Sequence, residues 1–282
     1  MVRCLRPADA FSKLRRLLIR PGGIGDCILS LPAMEFLKAD YTEVWVREEV
    51  APLIRFADRV RSITSTGLNL LGLPDVPAAP GLIEQLRSFD SIVSWYGSNR
   101  DEFRSHVAAL NLPFRFLAAL PTPGETIHAA DFFLRQVGVE GRAVPRIDCP
   151  DVSRRNFAAI QPFSGSARKN WPLERFRDLA ERLRIPVEWC AGPEETLENA
   201  LRLTNLWDVA RWLASARVYI GNDSGITHLA AAVGTPVVAI FGPSDHTVWA
   251  PRGENVQIVR GSLESISVDR VLEAVGRSTL LT

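Results

Sequence analysis

Short apolar runs alternate with amphipathic stretches along most of the chain. In the first half, Leu17 to Arg20 predicts a strand, Pro21-Gly22-Gly23 a turn, and the apolar stretch from Gly25 to Lys38 a helix. Val44 to Val46 reads as a second strand, "APLIRFA" as a short helix and "VRSITS" as a third strand, followed by a helix at Leu82 to Arg87 and a strand at Ser91 to Trp95. Ser98 to Leu120 reads as a helix with irregular loop, and Thr126 to Val137 as a helix. Periodicity then fails over Gly138 to Asn156, which carries Gly138, Gly141, Pro145 and Pro150 among charges; this is the expected interdomain linker.

The second half resumes the alternation. "FAAIQP" is a strand and "LERFRDLAERLR" a helix, with Leu173, Phe176, Leu179, Ala180 and Leu183 on one face. "PVEWCAG" predicts a strand, "PEETLENALRL" and "LWDVARWLASA" helices, "RVYIGN" a strand, "ITHLAAAVG" a helix and "PVVAIFG" a strand. A last helix places Val268, Val271, Leu272 and Val275 on one face, and this helix is expected to be able to cross back over the join. Strands alternating with helices argue for parallel sheets covered on both faces. The expectation is an α/β chain of two Rossmann-like domains, residues 1–148 and 149–282, facing each other across a cleft.

Composition narrows the functions. With 282 residues, 46% hydrophobic and 23% charged, the chain has ordinary globular usage. A formal charge of +1 supplies no basic field for nucleic acid, so no nucleic-acid partner is expected. Cys4, Cys27, Cys149 and Cys190 are scattered, and His106, His128, His228 and His246 form no ligand-spaced pair, so neither a disulfide framework nor a metal site is expected. No apolar run is long enough to span a bilayer, and no signal peptide is read; a cytoplasmic location is expected. Arg3, Arg6, Lys13, Arg15, Arg16 and Arg20 are opposed only by Asp9. They read either as solvated flanks of a strand or as a peripheral contact with the cytoplasmic face of an inner membrane.

The candidate chemistry sits at strand-to-helix turns, where parallel sheets bind ligands. Gly221 to His228 ends a strand and opens a helix, whose free N–H groups and dipole favour an anion. Asp223 and Ser224 are equally acceptable as helix caps, but His228, one turn in, is not explained by capping. In "PFSGSARKNWP", Ser164, Gly165 and Ser166 offer hydroxyls and bare backbone to phosphate oxygens and Lys169 a charge; the alternative is a solvated serine loop. "GGIGDCILSLPA" lacks the complete dinucleotide fingerprint and offers Gly22, Gly23 and Gly25 with one acid, Asp26, again either functional or a cap.

Four segments, "GGIGDCILSLPAMEFLK", "KNWPLERFRDLAERL", "ARVYIGNDSGITHLAAAVGTPVVAIFGPSD" and "WAPRG", resemble in order the signature segments of the heptosyltransferase family, glycosyltransferase family 9. The resemblance implies a GT-B fold and inverting, metal-independent transfer of a sugar, a heptose from an ADP-linked donor, to a lipopolysaccharide-core or related glycan acceptor, with no cofactor. It implies Asp26 as the general base, a role suited to a carboxylate within reach of the acceptor hydroxyl. Lys169 would neutralise the departing diphosphate. Ser164, Gly165 and Ser166 would contact phosphate, Asp223 the donor sugar hydroxyls, and Ser224, Gly225 and His228 the diphosphate. Glu194 or Glu195, with Glu195 favoured, would hold the ribose. Trp189, Trp207 and Trp212 are candidates to stack on the base, or core residues.

Several positions depart from the family pattern. The first half is short around Ser98 to Leu120, on the acceptor side, and Asn170 stands where a basic residue or histidine is common. Two other functions fit the same residues: a nucleotide-sugar binding module without transfer, and another GT-B-like enzyme such as a nucleotide-sugar epimerase.

Overall fold

The computed structural model describes residues 13–73, 75–122 and 124–279. The first half is a five-stranded parallel sheet in the order β3-β2-β1-β4-β5. Its strands are β1 (Arg15–Arg20), β2 (Tyr41–Val46), β3 (Arg59–Ser62), β4 (Ser91–Ser94) and β5 (Phe114–Phe116). Its helices are α1 (Ile24–Phe36), α2 (Leu82–Arg87), α3 (Asp101–Ala109) and α4 (Ala129–Gln136). The second half repeats the plan with β6 (Ala158–Gln161), β7 (Val187–Trp189), β8 (Val218–Asn222), β9 (Val237–Phe241) and β10 (Val256–Arg260), in the order β10-β9-β8-β6-β7. Around it lie α5 (Leu173–Arg182), α6 (Leu206–Ser215), α7 (Gly225–Ala232), α8 (His246–Trp249) and α9 (Val268–Thr279). The central strands β1, β8 and β9 are buried on both faces, which is why they read as continuous apolar runs.

Three hydrophobic clusters give the layering. One lies outside the first sheet under α2 and α3, with Trp45 and Phe103 fully buried. Another lies outside the second sheet under α5 and α9, around Trp171, Phe176 and Ile266. The third is shared: Leu18, Phe133, Ile147, Tyr219, Leu229 and Phe241 belong to one continuous core between the two sheets. The halves therefore meet through packed helices, chiefly α1 against α7, and a notional Cβ on Gly225 would lie 2.7 Å from the Ile24 Cβ. Only a residue without a side chain permits that approach.

The elements depart from the sequence reading in several places. "PEETLENALRL" is not a helix. Arg202 donates to the carbonyls of Gly192, Glu195 and Leu197, Asn199 adopts a left-handed φ of 55°, and Leu201 forms a parallel bridge to Cys190. The carbonyls a helix would use are taken by the guanidinium, and the segment runs as the stub of a further strand beside β7. Strands β5 and β10, both at sheet edges, are additional. The last helix, α9, does not cross back: its apolar stripe of Val268, Val271 and Val275 is buried against the second sheet and α5, which gives it a complete hydrophobic seat within its own half.

The basic run is divided by the fold. Arg3 and Arg6 lie outside the described residues. Arg15 stacks 4.3 Å from the Tyr41 ring, and Arg16 donates to the Leu37 carbonyl at 2.7 Å. Arg20 is buried, so it is no solvated flank. No described helix is long and apolar enough to cross a membrane.

Candidate active site

A cavity of about 590 Å³ opens where the carboxyl ends of the two sheets face each other, within the size range of small-molecule sites. From the first half it is lined by Gly23, Gly25, Asp26, Arg47 and Glu49, and from the second by Gly165, Ser166, Lys169, Asp223, Ser224, Gly225, His228 and Trp249. On the second sheet these loops follow β6 and β8, adjacent strands whose connections leave in opposite directions, the crevice where open α/β sheets bind ligands.

The turn after β1 delivers the acid. Asp26 is the third residue of α1, and its Oδ2 accepts the Gly23 N–H at 3.1 Å. The capping alternative is thus real, yet the carboxylate also lines the cavity, and Oδ1 accepts no hydrogen bond from the described residues. Gly22 sits behind it and does not line the cavity: a Cβ there would come within 2.6 Å of the Asp26 Cβ. Beneath the turn, Arg20 Nη2 donates to the Asp26 carbonyl at 3.2 Å and Nε to Ser30 Oγ at 3.1 Å. Burial lowers the Arg20 pKa while the Asp26 charge opposes that shift, so a buried cation stands directly under the acid.

The opposite wall is tied together by side chains bonded to backbone. Asn222, fully buried at the end of β8, accepts from the Trp171 N–H at 2.9 Å and donates to the Pro162 carbonyl at 2.7 Å, fixing the β6 loop to the β8 loop. Ser224 caps α7, its Oγ accepting from the Thr227 N–H at 3.4 Å. Lys169 Nζ lies 2.7 Å from Asp223 Oδ2, with the Asp223 side chain 7% exposed. The pair holds both side chains on the cavity wall. Ser164 turns inward to its own loop, donating to Asn170 Oδ1 at 2.7 Å or to the Ser166 carbonyl at 2.9 Å, which leaves Gly165 and Ser166 facing the cavity.

His228 is buried beside Asp223 and Lys169. Burial drives its pKa down to about 4, the Asp223 charge opposing the shift and the His128 and Lys169 charges adding to it, so the ring is neutral near pH 7. Its Nδ1 has no hydrogen-bond partner among the described residues. Helices α1 and α7 both begin in this cavity and both aim their positive dipole ends at it. Two helix N-termini, Lys169 and a neutral histidine form a surface suited to an anion with several oxygens.

Four further candidates lie elsewhere. Glu195 is not among the cavity-lining residues; its Oε2 accepts the Gly192 N–H at 2.6 Å, folding the carboxylate into its own loop. Trp212 is core, with Nε1 donating to Glu188 at 2.7 Å, and Trp189 packs against the outer core of the second sheet. Trp207 carries the Arg55 guanidinium 4.6 Å from its ring centre. Conversely, Arg47, Glu49 and Trp249 line the cavity without having been anticipated. Among the described residues, no group of three or more histidine, cysteine, aspartate or glutamate residues is arranged to hold a metal ion.

Residues 135–273 match the family model of glycosyltransferase family 9 (heptosyltransferase), and over this segment the resemblance read from the sequence is borne out. Lipopolysaccharide heptosyltransferase 3 of Escherichia coli K12 is 51% identical over 120 residues, 36% of this chain and 35% of that protein. Lipopolysaccharide heptosyltransferase 1 of the same strain is 33% identical over 115 residues, 35% of each chain. The chain thus spans about a third of the length of the curated relatives it matches. Among solved structures, the E. coli heptosyltransferase WaaC with ADP aligns at a TM-score of 0.67 and 17% identity, over 94% of this chain and 100% of that one. A glycosyltransferase family 9 protein from Veillonella parvula aligns at 0.74 and 17% identity, over 95% and 98%. At that identity the likeness shows the fold, two facing α/β domains of GT-B type.

Proposed function

We propose that this chain, whose residues 135–273 match the model of glycosyltransferase family 9 (heptosyltransferase), moves a sugar from a nucleotide-linked donor to a glycan acceptor. The donor in this reading is an ADP-linked heptose, and the acceptor a lipopolysaccharide core or related glycolipid met at the cytoplasmic face of the inner membrane. One observation carries the reading: an acid from the first sheet and an anion-binding wall from the second line a single cavity.

The diphosphate lies against the start of α7, with Lys169 and the N–H groups of Gly165 and Ser166 around its oxygens. When it enters, Lys169 exchanges part of its contact with Asp223 for phosphate, and Asp223 turns to the sugar hydroxyls. The acceptor hydroxyl approaches from the first half and gives its proton to Asp26 Oδ1, while Oδ2 stays on the Gly23 N–H and holds the carboxylate in place. Attack from that side, opposite the diphosphate, inverts the anomeric centre. Charge accumulating on the leaving group meets Lys169 and two helix dipoles already in position, the task a metal ion performs in other transferases.

The test is Asp26→Asn. ADP binding by calorimetry is expected to stay within about threefold, while transfer falls by roughly 10²- to 10⁴-fold. Undiminished transfer would remove Asp26 as base. An unaltered chain that binds ADP-heptose and transfers to no glycan extract would replace the reading with a binding function, in which Asp26 serves only as a cap.

A further inference from the structure

The segment "WAPRG", Trp249 to Gly253, belongs to the second half, yet it also bonds to the first. Arg252 forms a two-pronged ion pair with Asp131 of α4, Nη1 to Oδ1 at 2.5 Å and Nη2 to Oδ2 at 2.7 Å, with side chains only 13% and 23% exposed. Nη1 also donates to the Ala143 carbonyl at 2.9 Å, and the Ala143 N–H returns to Asp131 Oδ1 at 2.7 Å. Two residues earlier, the Ala250 carbonyl accepts the Nε2–H of His128, the N-cap of α4, at 2.8 Å; the His128 Nδ1 accepts the Ala130 N–H at 3.2 Å, which fixes that tautomer. One short segment thus grips α4 and the connecting chain at three points.

Each end of this grip leads to the cavity. Helix α4 packs along α1, whose first turn carries Asp26, and the Phe133 ring of α4 lies 4.7 Å from the Arg20 guanidinium under that turn. At the other end, Trp249, adjoining Ala250, lines the cavity. We propose that Arg252, Asp131 and His128 are positioning residues: a clasp that sets the separation between Asp26 and the donor wall. A guanidinium fork on a carboxylate fixes angle as well as distance, which a lysine in the same place does not. This inference rests on the transfer reading for its consequence, but its geometry stands apart from it.

Two measurements test it. In Arg252→Met, ADP affinity and the donor KM are expected to stay within about threefold, while kcat falls by ~30-fold or more through misplacement of the acid. Asp131→Asn is expected to do the same, and Arg252→Lys to recover part of the rate. Loss of ADP affinity in step with kcat, or an unchanged kcat in a less stable protein, overturns the proposal. Separately, spin labels are placed at the exposed Phe36 of α1 and Glu273 of α9 in a chain with Cys4 and Cys149 replaced by serine. A single narrow distance is expected, broadening in Arg252→Met whether or not transfer is detected. An unchanged distribution overturns the clasp, whereas broadening without transfer in the parent chain overturns only the transfer reading.

Discussion

The two sheets share a plan and differ in how they meet the cavity. On the second half, the loops after β6 and β8 are bonded to each other through Asn222, and Lys169 is already paired with Asp223. On the first half, the contribution is one turn bearing Asp26 and a rim bearing Arg47 and Glu49. In the proposed reading the second half is the binding wall, and the first supplies a single acid set in place by contacts outside the cavity. In the proposed reaction, affinity and chemistry are thereby assigned to different halves, and each can be lost without the other.

The sharpest way to break that comparison is Lys169→Met. It removes the cation from the wall and leaves Asp223, almost fully buried, without its partner. ADP affinity is expected to fall at least about tenfold, and transfer by roughly 10²- to 10³-fold, because the developing phosphate charge loses its fixed counter-ion. Calorimetry and a transfer assay read the two effects separately. If affinity holds while transfer alone falls, as expected for Asp26→Asn, then Lys169 belongs with the chemistry and the division between halves fails.

Most of the wall was legible in the sequence because its parts are local. Gly165, Ser166 and Lys169 fall in one loop, Asp223 to His228 in another, and each follows an apolar run that ends in a glycine-containing turn. What was not legible depends on distance along the chain or on weak pattern. Asn222 works by joining residues 51 and 60 positions away, and Arg252 by reaching 121 positions back to Asp131. Arg47 and Glu49 look like any solvated charges after a strand. β5 is a three-residue edge strand, Phe-Arg-Phe, too short to show alternation. The helical periodicity of "PEETLENALRL" was present but lost to Arg202, whose guanidinium competes for the carbonyls.

Acid tests the join itself. His128 and His228 both have their pKa lowered to about 4, in each case chiefly by burial. Between that value and the ordinary histidine range near 6.5, the unfolded chain binds more protons than the folded one, so stability falls as pH drops through this window and is unaffected by these groups above it. At His128 the full window corresponds to on the order of 3 kcal/mol of stability lost as the pH falls, and His228 acts in the same direction. Urea midpoints at pH 7 and pH 4.5 are expected to differ clearly in the unaltered chain and less in His128→Gln. An equal drop in both would place the acid sensitivity outside the His128 contact.

The smallest effect is expected at the rim. Arg47 Nη2 lies 2.6 Å from Glu49 Oε1, but the two side chains are 53% and 40% exposed, so water screens the pair and it contributes well under 1 kcal/mol. Glu49→Gln is therefore expected to move the urea midpoint very little and to leave ADP affinity unchanged, since the donor wall lies on the other half. Its effect, if the acceptor is anionic, falls on the acceptor KM alone, because Arg47 is released from its partner toward the cavity. A loss of ADP affinity in this variant would show the rim of the first half to be part of the donor site, and the contrast between a binding half and a reacting half would no longer hold.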